Sequence, residues 1–162
     1  MSSKIPVFGQ IAWFSLIAQF LIIGILLFLW YQIDESNYII FGAISYWVIA
    51  QLLRRTISKE HRKGMQMVRK ENFKDAIPHF EKSYQFFKQN EWIDKYRFLT
   101  LLSSGKISYK EMALNNVAFC YGQIGNGKLA MEYYQKTLDE FPDSGIAKVG
   151  LRLLKSMEND GE

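Results

Sequence analysis

Residues 122 to 128 read Gly-Gln-Ile-Gly-Asn-Gly-Lys. This is the GxxxxGK spacing with which a glycine-rich loop wraps a phosphate chain in backbone N–H groups and sets a lysine against it. The next residue is Leu129, where a magnesium-binding hydroxyl belongs, and the preceding segment has the periodicity of a helix rather than a strand. The segment therefore reads as a glycine-rich turn between two helices. Ser103 and Lys106 have the S-x-x-K spacing of an activated serine, but companion motifs are missing and a polar loop is the simpler reading. His61 and His79 fall on different expected helices, with no second His or Cys at ligand spacing. Cys120 stands alone, so no intramolecular disulfide can form, which suits a reducing compartment. Its helical surroundings make it a small buried hydrophobe. No carboxylate pair stands apart from ordinary solvated helix faces. With no nucleophile, base or metal site in view, the chain is expected not to be an enzyme and to need no cofactor.

The elements that carry these residues divide in two. The chain has 162 residues, 49% of them apolar, with 20 Lys and Arg against 16 Asp and Glu. From Val7 to Ile33 there is no charged residue, and nearly every charge lies after Leu53. Positive charge concentrates at Arg54, Arg55, Lys59, Arg62, Lys63, Arg69 and Lys70, opposed only by Glu60. A nucleic-acid binder spreads positive charge over its folded face. Here it adjoins an apolar segment, which points to anionic headgroups of a lipid bilayer and not to nucleic acid.

The oily front, residues 1–53, is expected to form a transmembrane hairpin. A first span covers about residues 7–31, since about 27 uncharged residues at about 1.5 Å each exceed a hydrocarbon core of about 30 Å. Trp30 and Tyr31 then sit at one headgroup level. A signal peptide fits less well, because the apolar run is too long and ends in bulky residues. A second span covers about residues 37–53, with an amphipathic helix lying in the interface as the alternative. The polar turn Gln32–Asn37 joins them, and Gly24, Gly42, Ala43 and Ser45 permit close helix approach. Because the turn lacks basic residues and the segment after Leu53 is rich in them, both termini are expected on the cytoplasmic side of a membrane, taken to be a bacterial cell membrane.

The back is helical by pattern. Apolar residues recur at three and four positions in Phe73, Ala76, Ile77, Phe80 and Tyr84, in Leu114, Val117, Ala118 and Tyr121, in Met131, Tyr134 and Leu138, and in Ile146, Val149 and Leu153. Ser108 with Glu111 reads as a capping box. Gly125 closes one helix, and Asn126 or Gly127 opens the next. Helices are predicted near 57–70, 73–89, 92–102, 108–123, 127–140 and 144–157, making the fold class all-α. A short tail, 158–162, is expected to be disordered.

Two stretches repeat one for one: Gly64, Met67, Asn72-Phe73, Ala76-Ile77 and Phe80 against Ala118, Tyr121, Asn126-Gly127, Ala130-Met131 and Tyr134. The second stretch, with Asn116-Val117-Ala118, Tyr121, Gly125-Asn126, Ala130, the Glu132–Lys136 run, Leu138 and Pro142, resembles the tetratricopeptide repeat family. It departs at Leu114, Gly127 and Thr137. The first stretch departs further, with Lys63, Met67, Glu71 and Ser83 at motif positions. The resemblance covers about residues 57–157 and implies two helix–turn–helix repeats, an insertion at about 91–110 and a capping helix with a solvated outer face. Gly64, Ala76, Phe80, Ala118, Tyr121, Ala130, Tyr134 and Pro142 are its packing residues. By the same resemblance the first helix of a repeat lines a concave face that binds partner peptides. That places Met112, Asn115, Phe119 and Gln123 as candidate partner contacts, with Arg54, Arg55, Lys59, Arg62 and Lys63 as candidate membrane-surface contacts. The expected function is a membrane-anchored adaptor presenting a helical-repeat surface to a protein partner. The alternative is a structural or assembly subunit of a membrane complex, recognised through its hairpin.

Overall fold

A computed structural model describes residues 13–159. Among these residues the chain is all-helical, with nine helices and no strand. They are α1 (Trp13–Tyr31), α2 (Tyr38–Ile57), α3 (Lys59–Arg69), α4 (Phe73–Gln89), α5 (Glu91–Lys95), α6 (Arg97–Thr100), α7 (Tyr109–Gln123), α8 (Gly127–Glu140) and α9 (Gly145–Asn159). The tail expected to begin at 158 is helical as far as Asn159, and residues 160–162 lie outside the described residues. The helices fall into two compact units, one of residues 13–59 and 91–106 and one of residues 60–90 and 107–159.

In the first unit α1 and α2 pack against each other as a helical hairpin. The Asp34 carboxylate closes the turn, accepting from the Ser36 and Asn37 backbone N–H groups at 2.9 and 3.2 Å and from the Asn37 amide at 3.0 Å. Those bonds favour its charged form and hold it below the usual carboxylate range. Close approach rests on Gly42, where a Cβ would meet the Leu27 side chain at 2.6 Å, and on Trp30, whose ring stacks on Phe41 and whose Nε1 donates to Ser45 Oγ at 3.0 Å. The expected helix 92–102 breaks at Tyr96 into α5 and α6. Residues 91–106 group with the hairpin rather than extending the repeats. Arg54 makes that attachment, donating from Nε to the Leu101 carbonyl at 3.0 Å and from Nη2 to the Leu102 carbonyl.

The membrane topology needs correction. Among the described residues no helix is long and apolar enough to cross a membrane. α1 has 19 residues, and residues 7–12 of its expected span lie outside the described residues. At about 1.5 Å per residue it reaches about 28 Å, short of a core of about 30 Å. α2 is longer, but its last turn carries Arg54 and Arg55. The two-span localisation with both termini cytoplasmic is overturned. The hairpin nonetheless exposes large apolar side chains, among them Phe20, Leu21 and Phe28 on α1 and Ile39, Trp47 and Leu52 on α2.

The second unit is helical-repeat-like. Val68, Ala76, Ile77, Phe80, Val117 and Cys120 form one core cluster, and Ala118, Tyr134 and Ala147 form another with Leu138, Leu151 and Leu154 against it. The sequence repeat has a direct physical expression. Phe80 lies against Gly64, where a Cβ would come within 2.7 Å of the ring, and Tyr134 packs with Ala118 one repeat later. The turns repeat too. After α7 the Asn126 N–H donates to the Tyr121 carbonyl at 2.9 Å and the Gly125 N–H to Gly122 at 3.2 Å, with Gly125 at φ 79°. After α3 the Asn72 N–H donates to Met67 at 2.9 Å and the Glu71 N–H to Val68 at 3.0 Å, with Glu71 at φ 58°. Both are Schellman endings, but the one after α3 puts the β-carbon of Glu71 where glycine is favoured. Replacing Glu71 by glycine is therefore expected to stabilise the protein by about 1 kcal/mol, read as a rise in the urea midpoint. An unchanged or lower midpoint counts against left-handed strain at this position.

Candidate functional site

The second unit carries a groove of about 580 Å³ between α4 and α8, floored by α7. Helical spacing builds its wall. Pro78, Lys82, Gln85 and Gln89 lie three or four apart on one face of α4. Leu114 and Val117 supply an apolar floor, and Tyr133 and Lys136 come from α8. Two cross-links frame the groove. The Tyr133 hydroxyl donates to Glu81 at 2.6 Å, and the Tyr84 hydroxyl donates to Glu140, which also pairs with Lys110 at 3.4 Å. The Lys136 ammonium sits 4.6 Å from the centre of the Tyr84 ring and 5.6 Å from that of Tyr133, a cation shared by two aromatic faces. Lys88 adds a second cation 5.6 Å from the Tyr84 ring.

Burial raises the pKa of both phenols, and the carboxylates that accept from them push it higher still. They stay protonated donors at neutral pH. The Cys120 thiol is fully buried, and burial pushes it up to about 12, so it is neither exposed nor ionised.

The residues proposed from sequence as partner contacts do not form one open face. Asn115 is buried, its amide donating to the Glu111 carbonyl at 3.2 Å and to Ser144 Oγ at 3.3 Å. Phe119 is half-buried and meets Phe73 edge to face at 5.9 Å. Met112 is half-buried, and only Gln123 is exposed. Of the basic residues assigned to a membrane surface, Arg54 caps the 101–102 backbone and Lys63 pairs with Glu60 at 3.1 Å. Arg55, Lys59 and Arg62 are exposed.

No family model, curated protein or solved structure matches the chain. Its chemistry must be read from its own geometry.

The phosphate-loop spacing at Gly122–Lys128 is the α7–α8 turn. Most of its amides already have acceptors. Ile124 donates to Cys120 at 3.1 Å, Gly125 and Asn126 close the Schellman pair, and the Leu129 N–H donates to the Asn126 side chain at 3.1 Å. Few donors remain to cradle a phosphate. His79 Nδ1 lies 2.8 Å from Glu60 Oε2, whereas His61 is buried against Phe80 and Tyr109. Among the described residues no three His, Cys, Asp or Glu side chains gather as a metal site. Ser103 and Lys106 lie in the loop after α6, where the Lys106 carbonyl accepts from Arg97.

Sequence reasoning missed Lys82, Gln85, Tyr133 and Lys136 as groove residues. The spacing on α4 was visible, but the pairings Tyr84–Glu140 and Tyr133–Glu81 join positions 56 and 52 apart.

Proposed function

We propose that this chain is a protein-interaction adaptor of the tetratricopeptide type, and that the groove between α4 and α8 holds a short acidic segment of a partner protein. The observation that carries this reading is the placement of Lys136 over both tyrosines at the rim of an apolar-floored groove, beside exposed Lys82. An exposed lysine cation laid against two aromatic rings attracts a carboxylate, while Leu114 and Val117 accept an apolar side chain next to it. The all-helical, repeat-like second unit supports this reading, and α4 and α8 supply the groove walls.

The test is a photo-crosslinking amino acid at exposed Gln85 in the full chain, with the captured peptide read by mass spectrometry. One recurrent acidic segment is expected, with capture reduced about tenfold or more by Lys136→Glu. Capture that is dispersed over many proteins, or indifferent to Lys136→Glu, removes the groove from the function.

A second reading, an assembly subunit recognised through the α1–α2 hairpin, is favoured by the exposed apolar side chains of that hairpin, a surface that needs cover. It predicts that Gly42→Leu, which drives a side chain into Leu27, abolishes copurification of the partner proteins while Lys136→Glu leaves it intact.

A further inference from the structure

α9 exposes apolar side chains beside the charged ones expected of a solvated outer face. α9 carries two apolar stripes. Ala147, Leu151 and Leu154 pack inward, against the cluster that includes Ala118 and Tyr134. Gly150 permits this packing, because a Cβ there would strike the Tyr134 ring. The second stripe is Val149, Leu153 and Met157, spaced by four, and these side chains are 60%, 60% and 63% exposed. At about 100° per residue they line up within one narrow sector of the helix, beside the packed face. The sector on their other side carries Lys148, Arg152 and Lys155, all exposed. Lys148 has only a 4.0 Å approach to the fully exposed Asp143 carboxylate. An apolar strip and a basic strip thus run side by side along the last helix of the repeats.

We infer that α9 is a docking face for an amphipathic helix of a partner protein whose apolar stripe is edged with Asp and Glu. In a helical-repeat stack each helix pair buries the exposed stripe of the one before it. Among the described residues α9 presents such a stripe unburied, and an amphipathic partner helix laid on it buries it in the same way. The basic strip decides which helix. A carboxylate edge lies against Lys148, Arg152 and Lys155, whereas an antiparallel second copy of α9 would set two basic strips side by side. This surface is separate from the α4–α8 groove, shares no residue with it, and is tested separately.

The probe is a fluorescein-labelled synthetic helix of about five turns, roughly 18 residues, with Leu at i, i+4, i+7 and i+11 and Glu on both flanks. It is titrated by anisotropy into the full chain in a mild nonionic detergent that covers the apolar hairpin. Saturable binding is expected. Leu153→Glu weakens it at least tenfold, and Arg152→Glu weakens it several-fold and reduces its salt dependence. A probe with Lys in place of Glu binds at least tenfold more weakly. Both variant positions are exposed, and unchanged helicity and melting by circular dichroism separate lost contact from lost fold. Absence of binding overturns the inference, as does binding that ignores both substitutions. Sedimentation decides the remaining case: a dimer of the unliganded chain that Leu153→Glu dissociates makes a second copy the occupant and overturns it. Lys136→Glu leaves binding of this probe unchanged, so failure here is distinct from failure of the groove.

Discussion

Truncating Phe80 to alanine lowers the stability of the repeat unit by roughly 3–5 kcal/mol, the range for emptying a buried aromatic site. Phe80 is fully buried between α3 and α7, packed with Val68, Ala76, Ile77, Val117 and Cys120. Its ring also occupies the space that the absent side chain of Gly64 leaves, with the nearest ring carbon 2.7 Å from an ideal Cβ. The two positions therefore act as one volume. Gly64→Ala alone overpacks the site and costs about 1–3 kcal/mol. Combined with Phe80→Leu, which withdraws the far edge of the ring, the same alanine costs less than it does alone, leaving a favourable coupling of about 1 kcal/mol or more. Amide hydrogen exchange on α3, α4 and α7 of the full chain resolves these changes without requiring both units to unfold together. Strict additivity of the two substitutions would mean that Gly64 is not there to admit the ring. With total stabilities of about 5–15 kcal/mol typical of domains, Phe80→Ala alone removes a large part of what holds the repeats.

Acidification from pH 7 to 5 costs this protein stability through His61. Burial lowers its pKa from 6.5 to about 4. Its ring is held edge to face against Phe80 at 5.4 Å and Tyr109 at 5.3 Å, with the Ser83 hydroxyl 3.5 Å from Nδ1. The unfolded chain takes up the proton near pH 6.5 and the folded chain near pH 4. Between these values the unfolded state binds more protons, so stability is full above about 6.5 and falls as pH falls. The loss reaches about 2 kcal/mol by pH 5. The Glu60–His79 pair acts lower. The hydrogen bond from His79 holds the Glu60 carboxyl below its ordinary 4.5, so its contribution is present above 4.5 and is lost below it. Thermal melts at pH 7, 6 and 5 of the wild type and of His61→Gln separate the two. The glutamine variant is less stable at pH 7 but flatter towards pH 5. Parallel curves would assign the acid sensitivity to another group.

Local pattern determined much of this protein. The helix at 73–89 was legible residue for residue, because three- and four-residue apolar spacing needs only the helix's own geometry. The start of α7 was legible because its cap is built within four residues: Ser108 Oγ accepts from the Glu111 N–H at 3.0 Å. The repeat was legible because a small residue facing an aromatic is what two antiparallel helices need wherever they touch. Gly64 with Phe80 and Ala118 with Tyr134 meet that need twice.

The tertiary structure decided the rest. The resemblance placed Asn115 on a partner-binding face, but Ser144, 29 residues away, accepts its amide and takes it inside. Residues 91–106 read as an insertion between the repeats, and only the contact from Arg54, 47 residues from Leu101, shows that they belong with the hairpin. On α9 the sequence shows the apolar spacing Ile146, Val149, Leu153, yet Ala147, Leu151 and Leu154 pack inward and Val149 and Leu153 face out. Periodicity reports that a helix has an apolar stripe. It does not choose between two stripes of similar quality, because that choice depends on the shape of the neighbour. Here Tyr134 needs the gap at Gly150, and seating α9 on that gap turns the second stripe outward.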